Sequence, residues 1–209
     1  MNVTILLIAT IVIMQGLADS KPELLQKLMF SSERIRNYKE YHRLISPFLV
    51  HSGWVHVLMN GIALYYFTPI VEYAFGVAPT FLFFLFSVLG GSLLSLRARR
   101  RDADYLAVGA SGGVSGLVMI SIFLAPDMGI GLFLIPVFIP AYLFGILFSL
   151  ASIGLTFLPN NHISHEGHLG GLFMGGIIAI VAMGIPLPTY ELNLLALLGV
   201  LPIAAFAVK

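Results

Sequence analysis

The sequence predicts an all-α bundle of helices that crosses a membrane several times. The chain has 209 residues, of which 58% are hydrophobic and only 10% are charged, whereas ordinary soluble domains carry about 25% charged residues. The apolar residues form long runs, which is typical of membrane-spanning helices. We expect one domain over 1–209 with six core transmembrane helices. A last apolar segment, 194–208, forms either a short seventh helix or an interfacial tail.

Composition excludes several other classes. The chain has no cysteine, so disulfides and thiolate chemistry are excluded. The net charge is +1, and without a basic stripe carrying interleaved aromatics it gives no indication of a nucleic-acid partner. The segment 2–18 lacks the early positive charges of a secretory signal, and we interpret it as a retained first helix.

The predicted helices follow the apolar runs in order. The fourth run is short for a span, which needs ~20 residues, so we expect a helix that begins below the membrane surface. A turn at 127–131 and the prolines Pro136 and Pro140 break the apolar stretch before the fifth helix. The six runs are 3–17, 54–75, 78–96, 111–125, 141–157 and 168–185.

A long polar segment, 18–50, separates the first two runs. Leucines and a methionine at 24–29 fall on one helical stripe there. An interfacial amphipathic helix explains this stripe, and a solvated helical loop explains it equally well.

A cluster of small residues, 109–116, opens the fourth run, with Ser111 at its centre. A hydroxyl in a membrane-buried helix suggests a specific role for that group. We interpret Ser111 as a nucleophile, and a serine needs a base to take its proton. Ser115 follows one helical turn deeper, and we interpret it as a small packing residue.

Histidines supply candidate bases. Polar groups within membrane helices are costly and indicate function by default, although any one of them could simply form a hydrogen bond between helices. Of His162, His165 and His168, the last is favoured because Gly171 and Gly175 follow it as a G-x-x-x-G pair. That spacing lets another helix backbone approach closely. Close approach to the glycine-rich start of the fourth run would bring His168 within hydrogen-bond reach of Ser111.

Attack by Ser111 on a carbonyl would create an oxyanion, which needs hydrogen-bond donors. The Ser111 N–H lies at a predicted helix N-terminus, where N–H groups are free. His56 and Asn60 are four residues apart and therefore share a helix face. Their side chains are the candidate further donors.

Two other interpretations account for part of these residues. The G-x-S-x-G pattern at 109–113 also matches the nucleophile elbow of soluble hydrolases, but that motif follows a strand, and here a charged loop precedes it. Alternatively, the histidines at 51, 56, 162, 165 and 168, with Glu166, could hold a metal. That hypothesis leaves the glycine-serine cluster unexplained.

Taken together, these motifs resemble the rhomboid family of intramembrane serine proteases over about 41–175. The stretch 51–60 resembles the family's H-x4-H-x3-N, 109–112 its G-x-S-G, and 168–175 its H-x-x-G-x-x-x-G. Arg43 matches the arginine of its W-R pair. Glu72 with Gly76 matches an E-x3-G at the far end of the second helix.

The resemblance implies a Ser111–His168 dyad without a third acidic residue, and an oxyanion site formed by His56, Asn60 and the Ser111 N–H. It implies cleavage of other membrane proteins in or near their transmembrane helices, without metal or cofactor. The lipid bilayer and single-pass or other membrane-protein substrates would be the partners. A multi-pass protein of the bacterial cell membrane is expected. The alternative is a rhomboid-like module, weakly active or inactive, that only binds membrane proteins.

Two residues depart from the family pattern. His42 stands where the family usually has tryptophan, and Ser115 where it often has an aromatic residue that packs on the catalytic histidine.

Ten of the eleven Lys and Arg residues lie in segments on the candidate active-site side. Positive-inside counting places that side toward the cytoplasm, whereas the resemblance places it on the opposite face.

Overall fold

The computed structural model describes residues 2–132, 135–155 and 164–184. Within these ranges it confirms the predicted all-α bundle, with eight helices. The segment 194–208 and His162 lie outside the described residues. The helices are α1 (Val3–Ser20), α2 (Pro22–Leu28), α3 (Ser32–Tyr38), α4 (Trp54–Phe75), α5 (Val77–Ala98), α6 (Ser111–Leu124), α7 (Ala141–Leu155) and α8 (His165–Met183).

Each of the six predicted apolar helices is present. Four of the described helices, α1, α4, α5 and α8, are long and apolar enough to cross a membrane. The helices α6 and α7 have 14 and 15 residues. At about 1.5 Å per residue, both are shorter than the roughly 30 Å hydrocarbon core of a bilayer.

Helix α6 lies at the centre of the bundle. Its residues from Gly113 to Phe123 are all buried, on every face of the helix. A helix that is apolar all round and buried all round is a core helix, and α6 packs against α4, α5 and α8. The first residue of this central helix is Ser111.

Glycines let α8 approach α6 backbone to backbone. A Cβ added at Gly171 would collide with the Gly112 carbonyl, and one added at Gly175 would collide with the Gly116 carbonyl. The predicted close approach of the G-x-x-x-G pair to the start of the fourth apolar helix is therefore confirmed. In lipid, where apolar burial gives no preference for another helix, such close packing drives association.

The long polar segment folds into short elements that are tied to the bundle. Within it, β1 (Phe30–Ser31) pairs antiparallel with β2 (Leu106–Ala107), which lies just before Ser111. The expected stripe at 24–29 is half-buried and belongs to the seven-residue α2 and the residues that follow it. The stripe is therefore helical, as both predictions had it, whereas the strand pairing was not predicted because it joins residues far apart in sequence.

Arg43 anchors this segment. Its buried guanidinium donates to the carbonyls of Gln26 and Met29, both at 2.7 Å, and pairs with Glu40 at 2.6 Å. The His42 ring adds a contact of 3.2 Å to the Lys27 carbonyl. The loop is therefore held in place although tryptophan is absent at position 42.

Besides shifts of one to three residues at other helix ends, two regions differ from the prediction. The region predicted as a turn and a broken stretch forms an antiparallel pair, β3 (Gly129–Leu132) and β4 (Ile135–Pro140). Pro136 and Pro140 lack the N–H that a helix needs there. Helix α8 begins at His165 rather than at His168, because the Ser164 hydroxyl accepts the Gly167 N–H at 3.2 Å and caps the helix.

We expect Gly175→Ala to destabilise the folded protein by about 1–3 kcal/mol, because the new methyl group must push α6 and α8 apart. Unfolding of the protein in detergent, followed by circular dichroism, measures this. Gly176→Ala is the matched control, since its Cβ would meet only Met119, at 3.9 Å. Equal losses in the two variants would contradict the close-packing argument.

Candidate active site

Ser111 is placed at a helix N-terminus with its backbone exposed to the site. Ala110 is the N-cap residue and Ser111 the first residue of α6. The first N–H groups of a helix have no partner within the helix, and they carry a partial positive charge. The predicted helix start at Ser111 is confirmed, and the use of its N–H as an oxyanion donor stays a prediction.

The turn before Ser111 requires glycine. Gly109 has a φ of +115°, a conformation that residues with a Cβ rarely adopt. Its N–H donates to the Pro47 carbonyl at 2.9 Å. A Cβ at this position would also lie 2.7 Å from Nε2 of His56. Position 109 thus brings the His56 ring against the backbone that leads into Ser111.

His51 fixes the N-cap residue. The ring Nε2 of His51 accepts the Ala110 N–H at 3.2 Å, and the backbone N–H of His51 donates to Gln15 Oε1 at 3.1 Å. Gln15 in turn donates to Asp19 at 2.7 Å. Burial, and secondarily the nearby His56, lower the pKa of His51 to about 3. His51 is therefore neutral near pH 7, which leaves a lone pair free to accept the Ala110 N–H.

His56 lies in the first turn of α4, with its ring held from two sides. Its Nδ1 is 3.0 Å from the Ser52 hydroxyl, and His51 packs edge-on against it with ring centroids 4.9 Å apart. With Nδ1 engaged by Ser52, Nε2 is the nitrogen that faces Gly109. The arrangement suits a donor aimed at the Ser111 end of α6.

Asn60 lies one turn deeper on the same helix face and is buried. Its Nδ2 donates to the His56 carbonyl at 3.0 Å. One amide hydrogen therefore supports α4, and the second remains for another acceptor. Among the hydrogen bonds of the described residues, none joins Asn60 to Ser111.

His168 lies in the first turn of α8, and aromatic rings surround its own ring. Phe148 of α7 stacks on it with centroids 5.8 Å apart and planes at 24°, and His165 meets it edge-on at 5.8 Å. Within the part of the chain that the structure describes, the Ser111 hydroxyl and the His168 ring do not share a hydrogen bond. Their pairing stays a prediction, and catalytic hydrogen bonds are often long in the absence of substrate.

A small cavity of about 40 Å³ opens beside Ser111. Gly109, Ser164 and Gly167 are among the residues that line it. This volume is enough for an ordered water, and polar groups are present to bind one. A larger groove of about 420 Å³ lies between α1 and α4, but apolar residues dominate its walls, so it offers no chemistry for hydrolysis.

A buried ion pair holds the start of α8. Glu166 is buried, and its Oε1 pairs with Arg99 at 2.5–2.6 Å. The Tyr105 hydroxyl donates to Ser164 at 2.7 Å, and the Arg99 guanidinium lies over the Tyr105 ring. Burial raises the pKa of Tyr105 to about 12, so it remains a donor. These contacts fix α8 two residues before His168.

The metal hypothesis receives no support from the positions of the side chains. Within the described residues, no three His, Asp or Glu side chains come together in a metal-binding arrangement. Glu166, the acidic member of the proposed set, is already paired with Arg99. His162 lies outside the described residues.

Sequence reasoning missed several residues that shape this site. Glu166 was considered only as a metal ligand, and its need for a cationic partner could have been inferred because a charge in an apolar helix requires one. The hydrogen bond from the His51 backbone to Gln15 could not be predicted, since an amide in the first helix gives no indication of a contact to residue 51. Phe148 was likewise hidden among many phenylalanines. Ser115 is buried within α6, in keeping with its interpretation as a packing residue.

Comparison with known proteins points to one family. A family model described as "Rhomboid domain" matches residues 38–185. The chain is 34% identical over 85 residues to "Putative rhomboid protease YdcA" of Bacillus subtilis (strain 168), which covers 41% of this chain and 42% of that protein.

Two longer matches agree. The chain is 29% identical over 153 residues to "Rhomboid protease GluP" of the same bacterium, covering 70% of this chain and 27% of that protein. It is 34% identical over 154 residues to "RHOMBOID-like protein 12, mitochondrial" of Arabidopsis thaliana, covering 65% and 45%. The chain thus spans less than half the length of each of these three relatives.

Acid should destabilise the protein partly through His51. Its folded-state pKa of about 3 lies below the unfolded value of 6.5. The unfolded chain therefore binds a proton that the folded chain does not, and stability falls as the pH drops from 6.5 toward 3. Between pH 7 and pH 5 this contribution is about 2 kcal/mol.

The variant His51→Gln cannot titrate but keeps an acceptor for the Ala110 N–H. We expect it to lose about 2 kcal/mol less than the unmodified protein between pH 7 and pH 5. Denaturant unfolding in detergent at both pH values measures the difference. An acid sensitivity that is unchanged in His51→Gln would refute the assignment.

Proposed function

The chain belongs to the rhomboid family, and on this premise we propose that it is an intramembrane serine protease that uses Ser111 and His168 as a catalytic dyad. Its substrates would be transmembrane helices of other membrane proteins. The observation that supports this most directly is the glycine contact between α6 and α8. That contact joins the helix that begins at Ser111 to the helix that carries His168 in its first turn.

In the proposed reaction, His168 takes the hydroxyl proton of Ser111 as Oγ attacks the scissile carbonyl. The imidazolium then gives this proton to the departing amine, which breaks the peptide bond and leaves an acyl-enzyme. Water attacks the ester, with His168 again as the base, and Ser111 is restored. This water would bind in the small cavity beside Ser111.

The oxyanion would be stabilised by donors that are fixed before substrate binds. The Ser111 N–H comes from the α6 terminus, and His56 Nε2 faces the same turn at Gly109. Asn60 keeps one amide hydrogen for this purpose. Donors held in place in this way cost no reorganisation during the reaction, and they are effective where water is excluded.

The membrane setting follows from the apolar helices, and the multi-pass character is part of the fold. We place the protein in the cell membrane of a bacterium. Membership of the family implies substrate helices that unwind easily and have small residues at the cleaved bond.

Ser111→Ala should abolish cleavage of a model transmembrane substrate reconstituted with the protein in liposomes. Ser115→Ala is the control, since Ser115 is buried one turn deeper in α6, and it should retain most of the activity. A serine-directed fluorophosphonate should label the unmodified protein and not Ser111→Ala. An inactive binding module would not be labelled, and full activity in Ser111→Ala would end the proposal.

His56→Ala should lower kcat by about 10²–10³ with little change in KM, as expected when one oxyanion donor is removed. Initial rates over a range of substrate-to-lipid ratios separate the two constants. His42→Ala is the comparison, because His42 is exposed and the hydrogen bond described for its ring is to the Lys27 carbonyl. A KM effect without a kcat effect would assign His56 to substrate binding instead.

A further inference from the structure

Four aromatic rings form a continuous stack from α4 to the candidate base. Phe67 of α4 stacks on Phe144 of α7 with centroids 6.4 Å apart and planes at 19°. Phe144 stacks on Phe148 at 5.9 Å and 9°. Phe148 then stacks on His168 at 5.8 Å and 24°. Phe144 and Phe148 are four residues apart, so one face of α7 carries both.

The stack meets the His168 ring, which has one other ring contact within the described residues. Its second ring contact is with the edge of His165. Helix α6 offers no aromatic side chain one turn below Ser111, where it has the small, buried Ser115. An imidazole on a single Cβ turns freely about χ2 unless its flat faces are packed. Offset stacking against Phe148, with ring centroids 5.8 Å apart and planes at 24°, therefore restricts the plane of the His168 ring.

We propose that Phe148 is a positioning residue that holds the His168 imidazole in the plane required for proton transfer to and from Ser111. This inference rests on the proposed function. It gives α7 a defined part in the reaction, since the helix that carries Phe148 determines the tilt of the base. Phe144 and Phe67 lie farther along the stack, and neither has a described ring contact with His168.

The orientation of the base matters because proton transfer depends on the direction of the nitrogen lone pair. Small displacements of a catalytic group can cost about 100-fold in rate. Substrate binding, by contrast, does not require the imidazole to have a particular tilt. Loss of Phe148 should therefore lower kcat and leave KM nearly unchanged.

The test compares three variants in liposomes. Phe148→Leu should lower kcat by about 10- to 100-fold and slow fluorophosphonate labelling of Ser111 by a similar factor. Phe148→Tyr keeps the ring and should stay within about 3-fold of the unmodified protein. Phe144→Leu is the matched control: it makes the same substitution one turn away on the same helix face. It should lose less than about 3-fold.

Two outcomes overturn the inference while leaving the proposed function intact. In one, Phe144→Leu loses as much as Phe148→Leu, which would indicate general packing of α7. In the other, Phe148→Tyr loses as much as Phe148→Leu, which would show that the ring is not what matters. If Phe148→Leu is not recovered folded, Phe148→Met, which fills the space without a ring, carries the same expectation. Failure of the unmodified protein to label at Ser111 would instead overturn the proposed function.

Discussion

The close approach of α6 and α8 is the constraint on which the rest of the molecule depends. Inside a membrane, apolar side chains gain nothing by leaving lipid for another helix, so helices must associate by fitting closely. Here the fit is made where Gly171 faces Gly112 and Gly175 faces Gly116. The same contact sets the relative height of the two helices, and with it the positions of Ser111 and His168.

Polar contacts then fix the starts of the two helices that the glycines bring together. A neutral His51 holds the N-cap of α6, and the buried Glu166 pairs with Arg99 at the start of α8. The first contact is made to the backbone at the N-cap of α6, and the second to a side chain in the first turn of α8. Unpaired polar groups are costly where water is excluded, so each of these contacts restrains the helix end that it holds.

Features that depend on neighbouring residues could be predicted from the sequence, whereas contacts between distant residues could not. The apolar run of α4 was predicted with its observed ends, and Ser111 was predicted at a helix start, because hydropathy and glycine patterns are short-range signals. The pairing of β1 with β2 and the contact of Arg99 with Glu166 join residues more than 65 positions apart. Nothing in a single sequence links such positions. The stacking of Phe148 on His168 depended on side-chain directions that periodicity does not give.

Helix α6 has one more consequence, which comes from its length. Fourteen residues make a helix of about 21 Å, roughly 9 Å less than the hydrocarbon core of a typical bilayer. Because α6 is enclosed by other helices, lipids cannot adjust to it directly, and its depth is set by the longer helices around it. The distance from Ser111 to the aqueous phase therefore varies with the thickness of the membrane. We therefore expect lipid chain length to affect how readily water reaches Ser111.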